Sequence, residues 1–421
     1  MKKKSKIIKK TDSLGRREMR GKKYYLLLIC SMVFIALSGC TSGVSEGTDE
    51  EVIIYDAKRS YNKNGMCYTN ETIAHFFDAE SGNDVVLCSK PNCRHTRTAD
   101  GNGTVCDAYL GYGTDSLFMV GEKIVYAAAP ETANLDIKDY MDREIYIADK
   151  DGKNRTLLAT LENVQVIMCS AFSKGWLAIG YQATYDFDSN WSDDEVDRFE
   201  KPKSGLYLIN INNGDVKLIK EIEGYNASCW QCSYDGDCLY YSLYYNSEKV
   251  NFEDYSNPDD YYEDVYKVAK QEVWSYDLKS ESEALMWEGT VGNIRQDCGE
   301  GYIIVDFEEE SLFFKNGMLL KTYKKDDMSN HNPRFINKYV YDGMVYMTDE
   351  EKVWCMDIDT GTITYIGGGR LDEKGINRIT AIIGEWVYYD ANYEGKTRFY
   401  VIDRDSFMNG DIENAKEIPY E

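Results

Sequence analysis

Histidine and proline are scarce in this chain, three and six in 421 residues, and basic charge is scarce past its first forty. His75 falls in a strand-like run and reads as structural, His95 stands among cysteines, and His331 lies in a polar stretch before a strand. The one G-x-S-x-G string, Gly43 to Gly47, lies in the small, polar stretch behind Cys40 and not on a strand-to-helix elbow, and no P-loop or G-x-G-x-x-G turn is present, so serine-hydrolase and nucleotide-binding chemistry lack their motifs. Few prolines and 13% aromatics, with 35 tyrosines, exclude a disordered chain. Residues 1–40 hold 11 of the 48 Lys+Arg and 2 of the 72 Asp+Glu, which leaves 37 against 70 for residues 41–421, a formal charge of −33. Neutralising a phosphate backbone takes clustered Lys and Arg, so nucleic acid is excluded as a partner.

What is present begins with a targeting signal. Lys22 and Lys23 precede an apolar run from Leu26 to Leu37 and a small-residue stop, the anatomy of a secretory leader. The run is too short to be read first as a spanning helix. Leu37-Ser38-Gly39-Cys40 resembles the lipobox of bacterial lipoproteins, which implies cleavage behind Gly39 and diacylglyceryl modification of Cys40. The expected organisation is a signal peptide over 1–39, a lipidated Cys40 with a small, polar tether over 40–50, and one domain over 51–421. Met19, followed by Arg-Gly-Lys-Lys, would open a leader of ordinary length. The location implied is the cell membrane, lipid-anchored, facing the extracytoplasmic side.

Two short patterns alternate past residue 50, and no long segment of helical period interrupts them. One is a Gly turn followed by an aromatic strand: Gly65 to Tyr68, Gly121 to Tyr126, Gly175 to Ile179, Gly236 to Tyr240, Gly301 to Ile304, Gly343 to Tyr346 and Gly384 to Tyr388. The other is an apolar-aromatic run closed by Asp or Asn and a turn, as in Ile145 to Asp149, Leu206 to Asn210, Val353 to Asp357 and Phe399 to Asp403, with weaker copies at His75 to Asp78, Val273 to Asp277 and Leu312 to Gly317. From Gly65 to Gly384 the repeat takes six steps in 319 residues, a period in the range of propellers and solenoids. The fold expected is all-β, a β-propeller of seven units, with six or eight allowed. Residues 51 to 55 would be either a first strand or a strand closing the ring beside the last one. These repeats resemble bacterial lipoproteins of Gram-positive type that carry a TolB-like or uncharacterised propeller domain; the resemblance implies the fold and leaves the ligand unnamed.

Three successive units carry long inserts, Pro130 to Asp142, Thr184 to Lys203 and Asn246 to Lys270, between the Gly-turn strand and the aromatic-Asp strand. In a propeller those connections share one face with the crossings between blades, so the inserts should form one wall. Tyr185, Phe187, Trp191, Asp193 and Asp194 in the second, with Tyr255, Tyr261 and Tyr262 in the third, set aromatics beside carboxylates, a surface suited to sugar rings or cationic groups. Solvated acidic loops are the plainer reading. Calcium is not expected at Asp186 to Asp197, because Trp191 replaces the glycine that the loop's sharp turn needs.

Cys88, Cys93, His95 and Cys106 lie within one segment, spaced C-x4-C-x-H-x10-C. Three thiolates and an imidazole would close a tetrahedral structural zinc site, whereas an oxidising location would favour disulfides among the same cysteines. Either would pin a long crossing between the first two units. Cys229 and Cys232, with Cys238, read as a local bridge or buried thiols, and Cys169, Cys298 and Cys355 as core. Three functions compete: a lipid-anchored binding module for a glycan, peptide or protein; an envelope scaffold without a small ligand; and a carboxylate-dependent glycan hydrolase or lyase.

Overall fold

Gly at positive φ sets the hairpins. Lys174 and Gly175, at φ 50° and 80°, join Ser173 to Trp176, and Asp342 and Gly343, at 50° and 71°, join Tyr341 to Met344. Two successive left-handed residues match the twist of the flanking strands, and a glycine carries one of them at little steric cost. The computed structural model describes residues 51–421 apart from 57, 97–104, 112, 131–141, 165, 183–202, 252–253, 255, 291–294, 300–301, 307–309, 316–317, 325–335, 349–351, 369–374, 394 and 421.

Among the described residues the strands form seven antiparallel sheets in chain order, six of four strands and a first of five. They span residues 52–86, 115–161, 166–223, 225–290, 295–324, 336–368 and 378–418. The innermost strands touch in succession from Arg59–Asn62 through Asp115–Val120, Val166–Ser173, Tyr225–Asp235, Arg295–Gly299 and Ile336–Tyr341 to Arg378–Ile383, which returns to the first. The result is a β-propeller. Its core is divided among seven apolar clusters, one at each junction between neighbouring sheets, including the junction of the last sheet with the first. The Gly-turn pattern is the second strand of each sheet, counted from the ring's inner four-strand meander, and the aromatic-Asp pattern is the third.

The strand Val52–Asp56 pairs with Arg59–Asn62 on the inner side of the first sheet and does not complete the last one, whose outer strand is Lys416–Ile418. Its alternate residues part company. Val52 and Ile54 pack on the cluster of the second and third sheets, and Ile53 and Tyr55 on the cluster of the first and last, so the strand fills the middle of the ring.

Five of the seven third strands end in an aspartate, and four of these carboxylates cap the turn that follows. Asp78 accepts the N–H of Ser81 at 2.7 Å, Asp277 that of Ser280 at 2.6 Å, Asp357 that of Thr360 at 2.6 Å and Asp403 that of Ser406 at 2.8 Å. Asp149 is bonded instead to Lys123 and Asn154. All five are held below the ordinary aspartate range. The leading cause is the donated N–H at Asp78, Asp357 and Asp403, and Lys123 at Asp149; at Asp277 burial pulls upward and the Ser280 and Lys279 donations outweigh it. A carboxylate whose folded value is depressed adds stability above its unfolded value and loses it as pH falls through the folded one. The melting temperature should therefore hold from pH 7 to about 5 and fall below about pH 4, as these five protonate together. Thermal melts from pH 7 to 3 check this, and an unchanged midpoint at pH 3 would contradict it.

Helices interrupt the expected strands and loops, a short one at Arg404–Met408 and a longer one in the third insert. The third insert contains a helix, α1 (Pro258–Val268), with Pro258 at its start, where a missing N–H costs nothing. Asp259 and Asp260 follow at its positive end, Lys267 lies in its last turn, and Val265 is buried.

Candidate metal centre

The segment from Cys88 to Cys106 leaves the first sheet after its three-residue outer strand, Asp84–Val86. Both of its arms are tied to the start of that sheet's third strand. Leu87 N–H donates to Ala74 O at 2.9 Å, Ala74 N–H to Ala108 O at 2.8 Å, and Leu110 N–H to Thr72 O at 3.1 Å. A turn then brings Cys93 back, its N–H on Lys90 O at 3.3 Å, with Asn92 at φ 59° and His95 at φ 51°.

The four donor atoms of Cys88, Cys93, His95 and Cys106 lie within 4.8 Å of one another, and His95 Nδ1 is 3.5 Å from Cys106 Sγ. Tetrahedral bonding with metal–sulfur bonds of ~2.3 Å puts donors about 3.8 Å apart, within reach of small side-chain rotations from here. The surroundings favour thiolate. Burial alone would raise the Cys88 thiol, but the N–H groups of Lys90 and Asp107 and the thiols of Cys106 and Cys93 hold it below its ordinary value. Burial pushes Cys106 up to about 12, against the N–H of Ala108. Cys88 thus ionises before Cys106, and a bound cation would draw the proton from the latter. Lys90 sits in the loop, paired with Asp107 at 2.7 Å and donating to Val105 O. No disulfide joins any of the described cysteines.

This loop also does the work of a strand. Elsewhere, the turn after a third strand rests on the outer strand of the preceding sheet: a side chain at Gly214 would strike the Leu158 carbonyl, one at Gly410 the Ile366 carbonyl, and one at Gly361 the Tyr323 ring. In the second sheet Gly152 rests on the backbone of Asp107 instead, so the cysteine loop supplies the surface that the short outer strand does not reach.

The remaining predicted residues divide. Tyr261 is half-buried on α1, and Tyr262 lies on the same helix with its side chain outside the described residues. Tyr185, Phe187, Trp191, Asp193, Asp194, Tyr255 and Cys40 lie outside the described residues, as do His331 and the side chain of Cys298. The inserts do occupy second-to-third strand connections, running from Ala128 to Arg143, Gln182 to Lys203 and Asn246 to Ala269. In an antiparallel meander that end also carries the crossings, where the cysteine loop begins. His75 is structural: its Nδ1 is 2.9 Å from Asp84 Oδ2 and its ring stacks on Tyr68. Cys355 is buried as expected, but Cys169 is not simple core. It meets Cys229 and Cys232 across a sheet junction, a grouping invisible in sequence because 60 residues separate the two strands.

No family model matches the chain, and no curated protein matches it in sequence. Solved structures similar to it include two groups of peptidases. Acylaminoacyl peptidase from Pyrococcus horikoshii is 11% identical with a TM-score of 0.47 over 86% of this chain and 52% of that one. A prolyl endopeptidase is 11% identical with a TM-score of 0.50 over 89% and 51%. The chain thus spans about half the length of these peptidases. TolB from Acinetobacter baumannii is 14% identical with a TM-score of 0.32 over 84% and 77%. At such identities the likeness concerns the fold alone.

Proposed function

We propose that this chain is a lipid-anchored extracytoplasmic propeller that binds a glycan, peptide or envelope protein, with a structural zinc ion in the Cys88 to Cys106 loop. The observation that carries it is positional: the long connections of three adjacent sheets and the cysteine loop arise at one end of the ring. Long loops on a rigid frame are where binding concentrates. Their acidic and aromatic composition suits sugar rings or cationic groups. Cys40 anchors the chain to the membrane in this reading, and the polar stretch behind it is the tether. Cys88, Cys93, His95 and Cys106 would hold the zinc, which ties the crossing between the first two sheets and leaves no open coordination position for chemistry.

The test uses the full chain in glycan and peptide binding screens, alongside variants lacking residues 184–202 or 247–268. Saturable binding lost on deletion supports the reading, and capture of neither class overturns it. For the metal, the purified chain should carry about one equivalent of zinc. His95→Ala should weaken its retention, and a chelator should release it and expose three thiols. Metal-free protein whose three cysteines resist alkylation until reduced would end the zinc assignment.

A further inference from the structure

We infer that Cys169 and Cys229 are an oxidation site, where a disulfide joins the third and fourth sheets through their innermost strands. Cys169 lies on Val166–Ser173 and Cys229 on Tyr225–Asp235, and their sulfurs are 3.9 Å apart. As a thiol, Cys169 also donates to the Cys229 carbonyl at 3.4 Å, so side chain and backbone both bring the two residues together.

Three independent features of the chain make room for this meeting. The Val166–Ser173 strand breaks register between Ile167 and Cys169, and Tyr225–Asp235 breaks it between Cys229 and Gln231. Each irregularity is a bulge, which re-aims the side chains beside it. At the second bulge Trp230 is turned outward, 57% exposed, while Cys229 is fully buried. The third feature is Gly180, which pairs with Cys169. A Cβ there would stand 2.8 Å from Cys229 Sγ and nearer still to Cys169 Sγ, so only glycine leaves space for both sulfurs. Register breaks in the innermost strand recur in the second, sixth and seventh sheets and belong to the fold, whereas the empty position at Gly180 is what this pair of thiols requires.

The two cysteines are also suited to different steps. Cys169 is the less covered residue, intermediate in exposure, whereas Cys229 is fully buried. Hydrogen bonds from Cys229 and then Cys232 hold the Cys169 sulfur well below the ordinary thiol range, which favours its thiolate. The oxidant is a small or protein-borne disulfide, and oxidised glutathione serves as the probe. The Cys169 thiolate attacks one sulfur of that disulfide, forming a mixed disulfide and expelling one thiolate. Cys229 then loses its proton to solvent, and its sulfur attacks that of Cys169, expelling the second thiolate. The protein gives up two electrons and the Cys229 proton, and with one further proton from solvent the reagent becomes two thiols. Nothing here rests on the proposed binding role or on zinc, since these sulfurs belong to a different junction from the Cys88 loop.

The experiment reduces the full chain, exposes it to oxidised glutathione, blocks remaining thiols and maps linked peptides by mass spectrometry. A Cys169–Cys229 linked pair is expected, with a rise in melting temperature on the order of 5 °C over the reduced protein. Cys169→Ser and Cys229→Ser should each abolish that pair and its share of the rise, and Cys238→Ser should preserve both. Two outcomes overturn the inference: both cysteines still alkylated after oxidation, or Cys229 joined to Cys232 instead.

Discussion

A Tyr61→Ala variant is expected to lose roughly 3–5 kcal/mol of stability, with the damage concentrated where the ring closes. Tyr61 is 1% exposed, its ring centroid lies 4.6 Å from that of Tyr388, and its hydroxyl donates to Thr380 Oγ1 at 2.9 Å. Those partners are more than 300 residues away in sequence. Among the described residues no strand is exchanged between the first and last sheets, and side chains supply the bonds across this junction. Tyr68 donates to Asp84 at 2.8 Å and to Pro419 O at 3.3 Å, Lys416 donates to Ala79 O and Glu80 O at 2.7 and 2.6 Å, and the Arg59 guanidinium lies 4.4 Å from the Phe399 ring centre. Removing the aromatic body leaves a cavity and strands the Thr380 hydroxyl, whereas Tyr61→Phe removes only one hydrogen bond and should cost about 1 kcal/mol. Urea unfolding of the two variants measures both. Hydrogen exchange should localise the alanine defect to the first and last sheets; equal losses for the two substitutions would show that the junction does not depend on the ring of Tyr61.

Gly152→Val is the second large effect expected, and it should damage stability and metal retention together. Gly152 has φ +79°, a region that costs a residue with a Cβ about 1–2 kcal/mol. Its Cβ would also run into the backbone carbonyl of Asp107, which cannot swing aside as a side-chain tip would. The combined loss should exceed about 3 kcal/mol. Asp107 donates its N–H to the Cys88 sulfur and adjoins Cys106, so displacing it disturbs two donors of the candidate centre. Gly236→Ala is the control: φ is +59° and nothing lies within 4 Å of the added carbon, so only the conformational cost of about 1 kcal/mol applies. Matching denaturation midpoints for the two variants would refute the packing argument.

How far the sequence can be read depends on whether a feature is local. The aromatic run closed by Asp at 277, 357 or 403 is legible because strand, cap and turn lie within a few residues, and the same cap recurs in four of the sheets. Cys88, Cys93, His95 and Cys106 are legible for the same reason, falling within a single loop. The pairing of Cys169 with Cys229 is not, because each sits on its own apolar strand and only the ring's closure brings them together. Helix α1 escapes for another reason. Its sequence is acidic and tyrosine-rich with no sustained apolar period, although Pro258 and the acids behind it mark the start. The role of Val52–Asp56 is ambiguous in sequence because five residues of alternating character fit either edge of a sheet; what decides it is the apolar space in the middle of the ring.

That central strand also has a timetable. It leaves the ribosome before every other strand of the propeller, yet Tyr55 is covered by Arg378, and the cluster around Ile53 includes Tyr388 and Phe399. At synthesis rates of ~5–20 residues per second, roughly 17 to 70 s separate the birth of the strand from the arrival of Phe399. For that interval its outer apolar side has no native partner, and only the hairpin with Arg59–Asn62 is available to it. The axis of the propeller is therefore the first part to be made and among the last to be finished.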